Sequence, residues 1–214
     1  MSRRIYIDKL NLKIEEPLAI IQIAVEDALV YRDIFYSIND LIVLSEDNKV
    51  LNNDKVALVI DNPLNIYLND KKVLASLYKY LSINLNDEIK NEVNEINQKM
   101  IELLDDVILY NDFALEYDDN FDIQKLFSLF QLRFKKNETE IYFENLLNYL
   151  KLYNIIANNK FIISFSLLDL LTTNEMEILK KELLLLNINL INFSLTNKQK
   201  ESKTYVVDSD WCVL

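Results

Sequence analysis

With 214 residues, half of them hydrophobic, and a formal net charge of −11, the chain has enough apolar material for one good core with a smaller appended lobe, and too much for global disorder. Charges interrupt every apolar run before the roughly 18 residues that a membrane span needs. The acidic balance repels nucleic acid on average, which argues against a non-specific DNA coat but leaves room for a local basic surface.

The predicted elements follow in chain order. Arg3 to Ile7 and Leu10 to Ile14 read as two short strands. Glu15-Glu16-Pro17 reads as a helix start, with Leu18, Ile21, Val25, Leu29 and Ile38 at roughly helical spacing to about Ser37. Within that stretch Ala19 to Val25 also fits a buried strand, a choice that periodicity alone leaves open. Leu41 to Leu44 is a strand, turned at Glu46-Asp47-Asn48-Lys49. Val56 to Asp61 is a continuous apolar run ending in an acid, the pattern of a fully buried parallel strand. Lys72 to Leu81 is a helix. Asp87 to about Asn111 is a long charged one, with Ile89, Val93, Ile96, Met100, Leu103 and Val107 three or four residues apart. Ile123 to Phe130 and Glu140 to Ile156 are helices, and Phe161 to Phe165 is a buried strand. Thr173 serves as N-cap for a helix over Asn174 to Leu186, and Ile188 to Phe193 is another buried strand. Tyr205 to Val207 and Trp211 to Leu214 suit a closing hairpin.

Buried strands alternate with helices at both ends, and the middle is helical. The expected architecture is an α/β head domain with a mixed sheet, built from residues 1–69 and 158–214, carrying an inserted α-helical leg domain over 70–157. With glycine absent, the turns must rest on Asn and Asp, which tolerate left-handed backbone better than other residues.

Two absences bound the chemistry. Without histidine there is no Ser-His or Cys-His pair and no common zinc ligand. Without glycine there is no P-loop, no dinucleotide-binding turn and no EF-hand. The single cysteine, Cys212, neither staples the fold nor builds a zinc site, and it reads as a small buried apolar residue. Met1-Ser2-Arg3-Arg4-Ile5 is basic, but Asp8, Lys9 and Lys13 break what a signal peptide would keep apolar, so a cytoplasmic protein is expected, with no membrane partner. No catalytic residue emerges. Asp61 ends its strand as the first acid of a metal-dependent nuclease would, yet no acid-x-lysine follows on a neighbouring strand.

Two sets of residues are candidates for binding. Asp112, Glu116, Asp118, Asp119 and Asp122 crowd five carboxylates into eleven residues. They form either a solvated acidic turn that caps the next helix or an oxygen-rich cradle for calcium. Arg133, Lys135 and Lys136 lie on one short segment, and Lys151 and Lys160 flank the next helix. In a monomer these are ordinary surface, whereas in a cyclic oligomer each repeats around the axis into a basic ring.

The ordered pattern resembles the non-catalytic spacer-acquisition (adaptation) protein of type II-A CRISPR systems. The resemblance runs through Ile23-Ala24-Val25-Glu26-Asp27, Val56 to Asp61, Leu115-Glu116-Tyr117-Asp118-Asp119, Leu126 to Leu129, Ile141-Tyr142-Phe143-Glu144, Lys160 to Ile163, Leu171-Thr172-Thr173-Asn174-Glu175 and Tyr205 to Asp210. It implies a degenerate nucleotide-hydrolase topology without a P-loop and a homotetrameric ring with a basic lumen. It also implies calcium at acidic positions and sequence-independent binding to ends of double-stranded DNA. The implied partners are the integrase complex and the RNA-guided effector nuclease. Glu116, Asp118 and Asp119 fall on the family's acidic motif, Asp112 on an acidic position upstream, and Arg133 near a basic position. Ala114 stands where the family carries an acid, and Asn158-Asn159-Lys160 replaces a basic run. The rival readings are an acidic protein-interaction scaffold with little DNA affinity and a divergent metal-dependent nuclease.

Overall fold

The computed structural model describes residues 2–15, 19–111, 113–119, 121–135, 142–157, 160–195 and 204–214. The chain is α/β and divides into two compact units, Met1–Leu68 with Asn137–Leu214, and Asn69–Lys136.

The first unit holds two sheets. Strands β1 (Arg3–Ile7), β2 (Leu12–Glu15), β4 (Ile42–Glu46) and β5 (Lys49–Val50) form an antiparallel sheet in the order β2-β1-β4-β5. Strands β3 (Ile20–Val25), β6 (Ala57–Ile60), β7 (Phe161–Phe165), β8 (Asn189–Ser194) and β9 (Thr204–Val207) form a parallel sheet in the order β6-β7-β8-β3-β9. Helix α1 (Ala28–Leu41) and the antiparallel sheet cover one face of the parallel sheet, and α6 (Tyr142–Ala157) and α7 (Thr173–Leu185) cover the other. A short helix, α2 (Asn53–Val56), leads into β6.

The two-residue period of β7 distributes its side chains between these cores. Phe161, Ile163 and Phe165 pack with Ile5, Ile7, Ile34 and Phe193, whereas Ile162 packs with Leu146, Leu150, Leu179 and Leu183. Phe161 and Phe193 are fully buried, and burying side chains of this kind contributes about 1.5–3 kcal/mol each.

Several expectations are corrected. Ile20 to Val25 is a strand, all six residues buried, and the helix starts only at Ala28, capped by Asp27. The expected helix start at Glu16-Pro17 lies outside the described residues. β6 is parallel, but it is an edge strand with Val59 exposed. Thr172, not Thr173, caps α7, in a capping box closed by Glu175. Cys212 is exposed rather than buried. The expected closing hairpin is reduced to one antiparallel bridge, Val207 to Val213, because β9 pairs in parallel with β3. Helix α6, expected in the insertion, packs on the parallel sheet through Phe143, Leu146 and Leu150, so the insertion ends at Lys136 rather than at 157. The Tyr142 hydroxyl donates to the Pro63 carbonyl at 3.0 Å, and burial, then the Glu175 carboxylate, push its pKa up to about 12.

Turns follow the chemistry that a glycine-free chain demands. Asn11, Asp47, Asn48 and Asn187 take positive φ, as do Gln131, Ser166 and Trp211. Asn187 stands past α7 where a glycine usually ends a helix. Its N–H bonds the Leu184 carbonyl and that of Ile188 bonds the Leu183 carbonyl, a Schellman closure.

An ionic clasp joins the two sheets. Nη1 of Arg3 donates to the Asn187 carbonyl at 2.6 Å and to Asn189 Oδ1 at 2.9 Å, and its guanidinium lies over the Phe161 ring. Its Nε meets Glu46 at 3.3 Å, and Glu46 also pairs with Lys160. Lys160 and Arg3 hold the Glu46 carboxyl below its usual pKa of 4.5. A depressed carboxyl stabilises the fold above its unfolded pKa, and that contribution is lost as pH falls through the folded value. Glu46→Gln is therefore expected to lose about 3 kcal/mol at pH 7, read from urea midpoints. The gap to the parent should shrink in acid below about pH 4; a gap independent of pH would refute the pairing.

Candidate nucleic-acid interface

The insertion contains α3 (Lys71–Ile83), α4 (Asp87–Leu109) and α5 (Ile123–Leu129). Side-chain oxygens of Asp70, Asn86 and Asp122 cap their first turns. Helices α3 and α5 meet through the Tyr78 and Phe127 rings, 5.8 Å apart, and through Gln124 donating to Ser82. Helix α4 buries none of its residues; of the predicted stripe, Val93 is half-buried and Ile89, Ile96, Met100, Leu103 and Val107 are exposed by 41–63%.

The segment after α5 is built with care. Phe130 ends the helix and Gln131 takes positive φ. The Gln131 N–H bonds the Ser128 carbonyl and the Leu132 N–H that of Phe127, a second Schellman closure without glycine. The Tyr78 hydroxyl donates to the Leu132 carbonyl at 2.6 Å. Asn69 clasps Phe134 twice: its Nδ2 donates to the Phe134 carbonyl at 3.2 Å, and the Phe134 N–H donates to its Oδ1 at 2.9 Å. Arg133 and Lys135 thus leave a backbone fixed from both sides. Both are exposed, and neither forms an ion pair among the described residues.

The other basic candidates differ. Lys136 lies outside the described residues, as do Asn158 and Asn159. Lys151 stands on α6 with its Nζ 3.2 Å from Glu182 of α7. Lys160 is held by Glu46 in the inter-sheet clasp. The sequence presented these lysines as free surface, and only the tertiary fold supplies their counter-charges.

Of the acidic candidates, Asp112 lies outside the described residues. Glu116, Asp118, Asp119 and Asp122 are exposed, and one Asp122 oxygen accepts the Gln124 N–H at 2.9 Å as a helix cap. Among the described residues no three carboxylates are gathered as a metal-holding group. The Tyr117 hydroxyl donates to Asp105 of α4 at 2.8 Å. That bond, followed by slight desolvation and the charges of Asp105 and Asp119, raises the phenol's pKa. Asp105 is therefore an acid that the sequence reading missed, because it sits in the preceding helix, twelve positions from Tyr117. The donors here are all carboxylate and phenolic oxygens, chemistry that fits a hard cation such as calcium and not a thiol- or imidazole-seeking metal.

At the ends of the parallel strands, where open α/β sheets usually bind ligands, the chain caps itself. Asp27 Oδ1 accepts the Leu29 and Val30 N–H groups at 2.8 and 3.0 Å, placing a carboxylate at the α1 N-terminus. Asp61 Oδ1 accepts the Asn62 N–H. Gln22, Ser164, Asn192 and Ser194 form a buried, mutually bonded polar ladder across β3, β7 and β8. Among the described residues no helix is long and apolar enough to cross a membrane.

No curated protein matches the sequence. Among solved structures, an ATP-binding cassette of an ABC transporter in its ADP conformation is similar over all of this chain and 90% of its own, at 11% identity and a TM-score of 0.49, a likeness too slight to carry an argument. The family model for CRISPR-associated protein (Cas_Csn2) matches residues 35–211. The chain accordingly belongs to the CRISPR-associated Cas_Csn2 family, the spacer-acquisition proteins of type II-A systems.

Proposed function

We propose that this chain is a non-catalytic, calcium-dependent binder of double-stranded DNA ends, independent of sequence, which acts as a homotetrameric ring in the cytoplasm. In this reading it serves spacer acquisition beside the integrase complex and the effector nuclease. The observation that carries it is the fixed basic segment at Arg133 and Lys135, without an ion pair among the described residues, in a chain of net charge −11. Phosphate contacts of this kind need several cations on one face, and repetition of the segment around a closed assembly multiplies them.

The exposed apolar stripe of α4 supports self-assembly, since helix faces of that spacing bury best against another helix. Calcium would be held by Glu116, Asp118 and Asp119, with Asp112 and Asp122 near them in sequence, and would screen their mutual repulsion. The self-capped α1 N-terminus supports a role without nucleotide hydrolysis, because an entering phosphate would meet the Asp27 carboxylate where a P-loop offers N–H groups. The second reading, an acidic scaffold for protein partners, draws on the pairing of Lys151 with Glu182 and Lys160 with Glu46, which removes two cations from a DNA face.

Two measurements decide between them. Fluorescence anisotropy with a linear duplex in calcium should show affinity falling about 100-fold between roughly 50 and 200 mM salt for every four phosphates gripped. Salt-independent binding would remove the phosphate-gripping reading, and no binding would favour the scaffold. Glu116→Ala with Asp118→Ala should lower the thermal midpoint in calcium and leave it nearly unchanged in chelator; equal losses in both would end the calcium assignment.

A further inference from the structure

We infer that the Asn69–Phe134 clasp joins two stretches of sequence into one phosphate-gripping surface: Lys71 and Lys72 of α3 with Arg133 and Lys135 of the segment after α5. The ligand it fits is the sugar-phosphate backbone of duplex DNA, so the inference rests on the DNA-binding reading and adds two contact residues to it.

The geometry comes from one side chain. Asn69 meets both the N–H and the carbonyl of Phe134, as a neighbouring strand would, and so brings positions 65 apart in sequence to hydrogen-bonding distance. Lys71 and Lys72 follow Asn69 directly, and Arg133 and Lys135 flank Phe134. The Tyr78 bond to the Leu132 carbonyl secures the same segment from about two helical turns further along α3. All four cations are exposed, and none is in an ion pair among the described residues.

The one acid within 69–72 and 131–135 is Asp70. Its Oδ1 accepts the Lys72 N–H at 2.8 Å, so the carboxylate is turned to the start of α3. Four positive charges against one negative make this region the reverse of the chain as a whole. The cations stand on open surface, where a lone phosphate would keep its water and gain little. A polyanion gains at each contact because counterions are released.

The test measures affinity for a linear duplex as a function of salt, in calcium, for the full chain. Lys71→Gln with Lys72→Gln should reduce the slope of log affinity against log salt by about 2 per engaged subunit, with affinity at least about tenfold lower near 0.1 M salt. Lys49→Gln with Lys55→Gln, two exposed lysines of the other unit, removes the same charge and should leave the slope unchanged. Asn69→Ala keeps every charge yet releases the clasp, and should weaken binding several-fold. If the parent binds duplex and the Lys71/Lys72 variant matches the control, this inference is overturned while the DNA-binding reading stands. If the parent binds no duplex, the DNA-binding reading falls first.

Discussion

The head depends on one buried guanidinium. Arg3 opens β1, yet it reaches carbonyl and amide oxygens of Asn187 and Asn189, and it shares Glu46 with Lys160. Burying an arginine is costly unless its donors are filled. Here they are filled by groups that come together only when β4, β7 and β8 are all in place. The clasp therefore specifies which end of the antiparallel sheet faces the parallel one. On either side of the insertion, Pro63 and Tyr142 are tied by a hydrogen bond of their own.

The same clasp sets the electrostatics that remain for binding. An acidic chain that keeps some lysines as structural ions has fewer to offer a polyanion. Lys160 and Lys151 are drawn into pairs inside the head, whereas Arg133 and Lys135 stand on a segment held by backbone bonds and have no ion pair among the described residues. Surface pairs such as Lys151 with Glu182 contribute only about 0–1 kcal/mol to stability. Their larger consequence is to neutralise a cation that a phosphate would otherwise meet.

How much of this was legible in the sequence depends on the range of the interaction. β7 was readable because it is an apolar run flanked by the polar Lys160 and Ser166, and α4 because its stripe recurs over about five turns. β3 was ambiguous because a strand buried on both faces has no two-residue alternation to set against a helical spacing. Thr172 and Thr173 are both sound caps, and only the Glu175 that returns to Thr172 selects between them. α6 reads as an amphipathic helix in either unit. Of the site, Arg133 and Lys135 were visible as a charged pair, but Lys71 and Lys72 were not, because the link is a side-chain amide 65 residues away. The Lys151 and Lys160 pairs were hidden for the same reason.

The absence of glycine ties these threads together. A phosphate cradle needs backbone N–H groups converging at a turn with no side chain in the way, and after β3 this chain puts Glu26 and Asp27 there instead. Asp27 satisfies the α1 N-terminus internally, so the strand–helix junction is stable without a ligand and repels an anion. Elsewhere Asn187 and Gln131 take the left-handed conformation that glycine would take more easily, which costs about 1 kcal/mol or more for the bulkier residue. Gln131 bears that strain at the turn that aims Arg133 and Lys135 outward. The described strand ends therefore close on carboxylates, whereas the segment after α5 presents Arg133 and Lys135 on a backbone set by side-chain clasps rather than by a glycine loop.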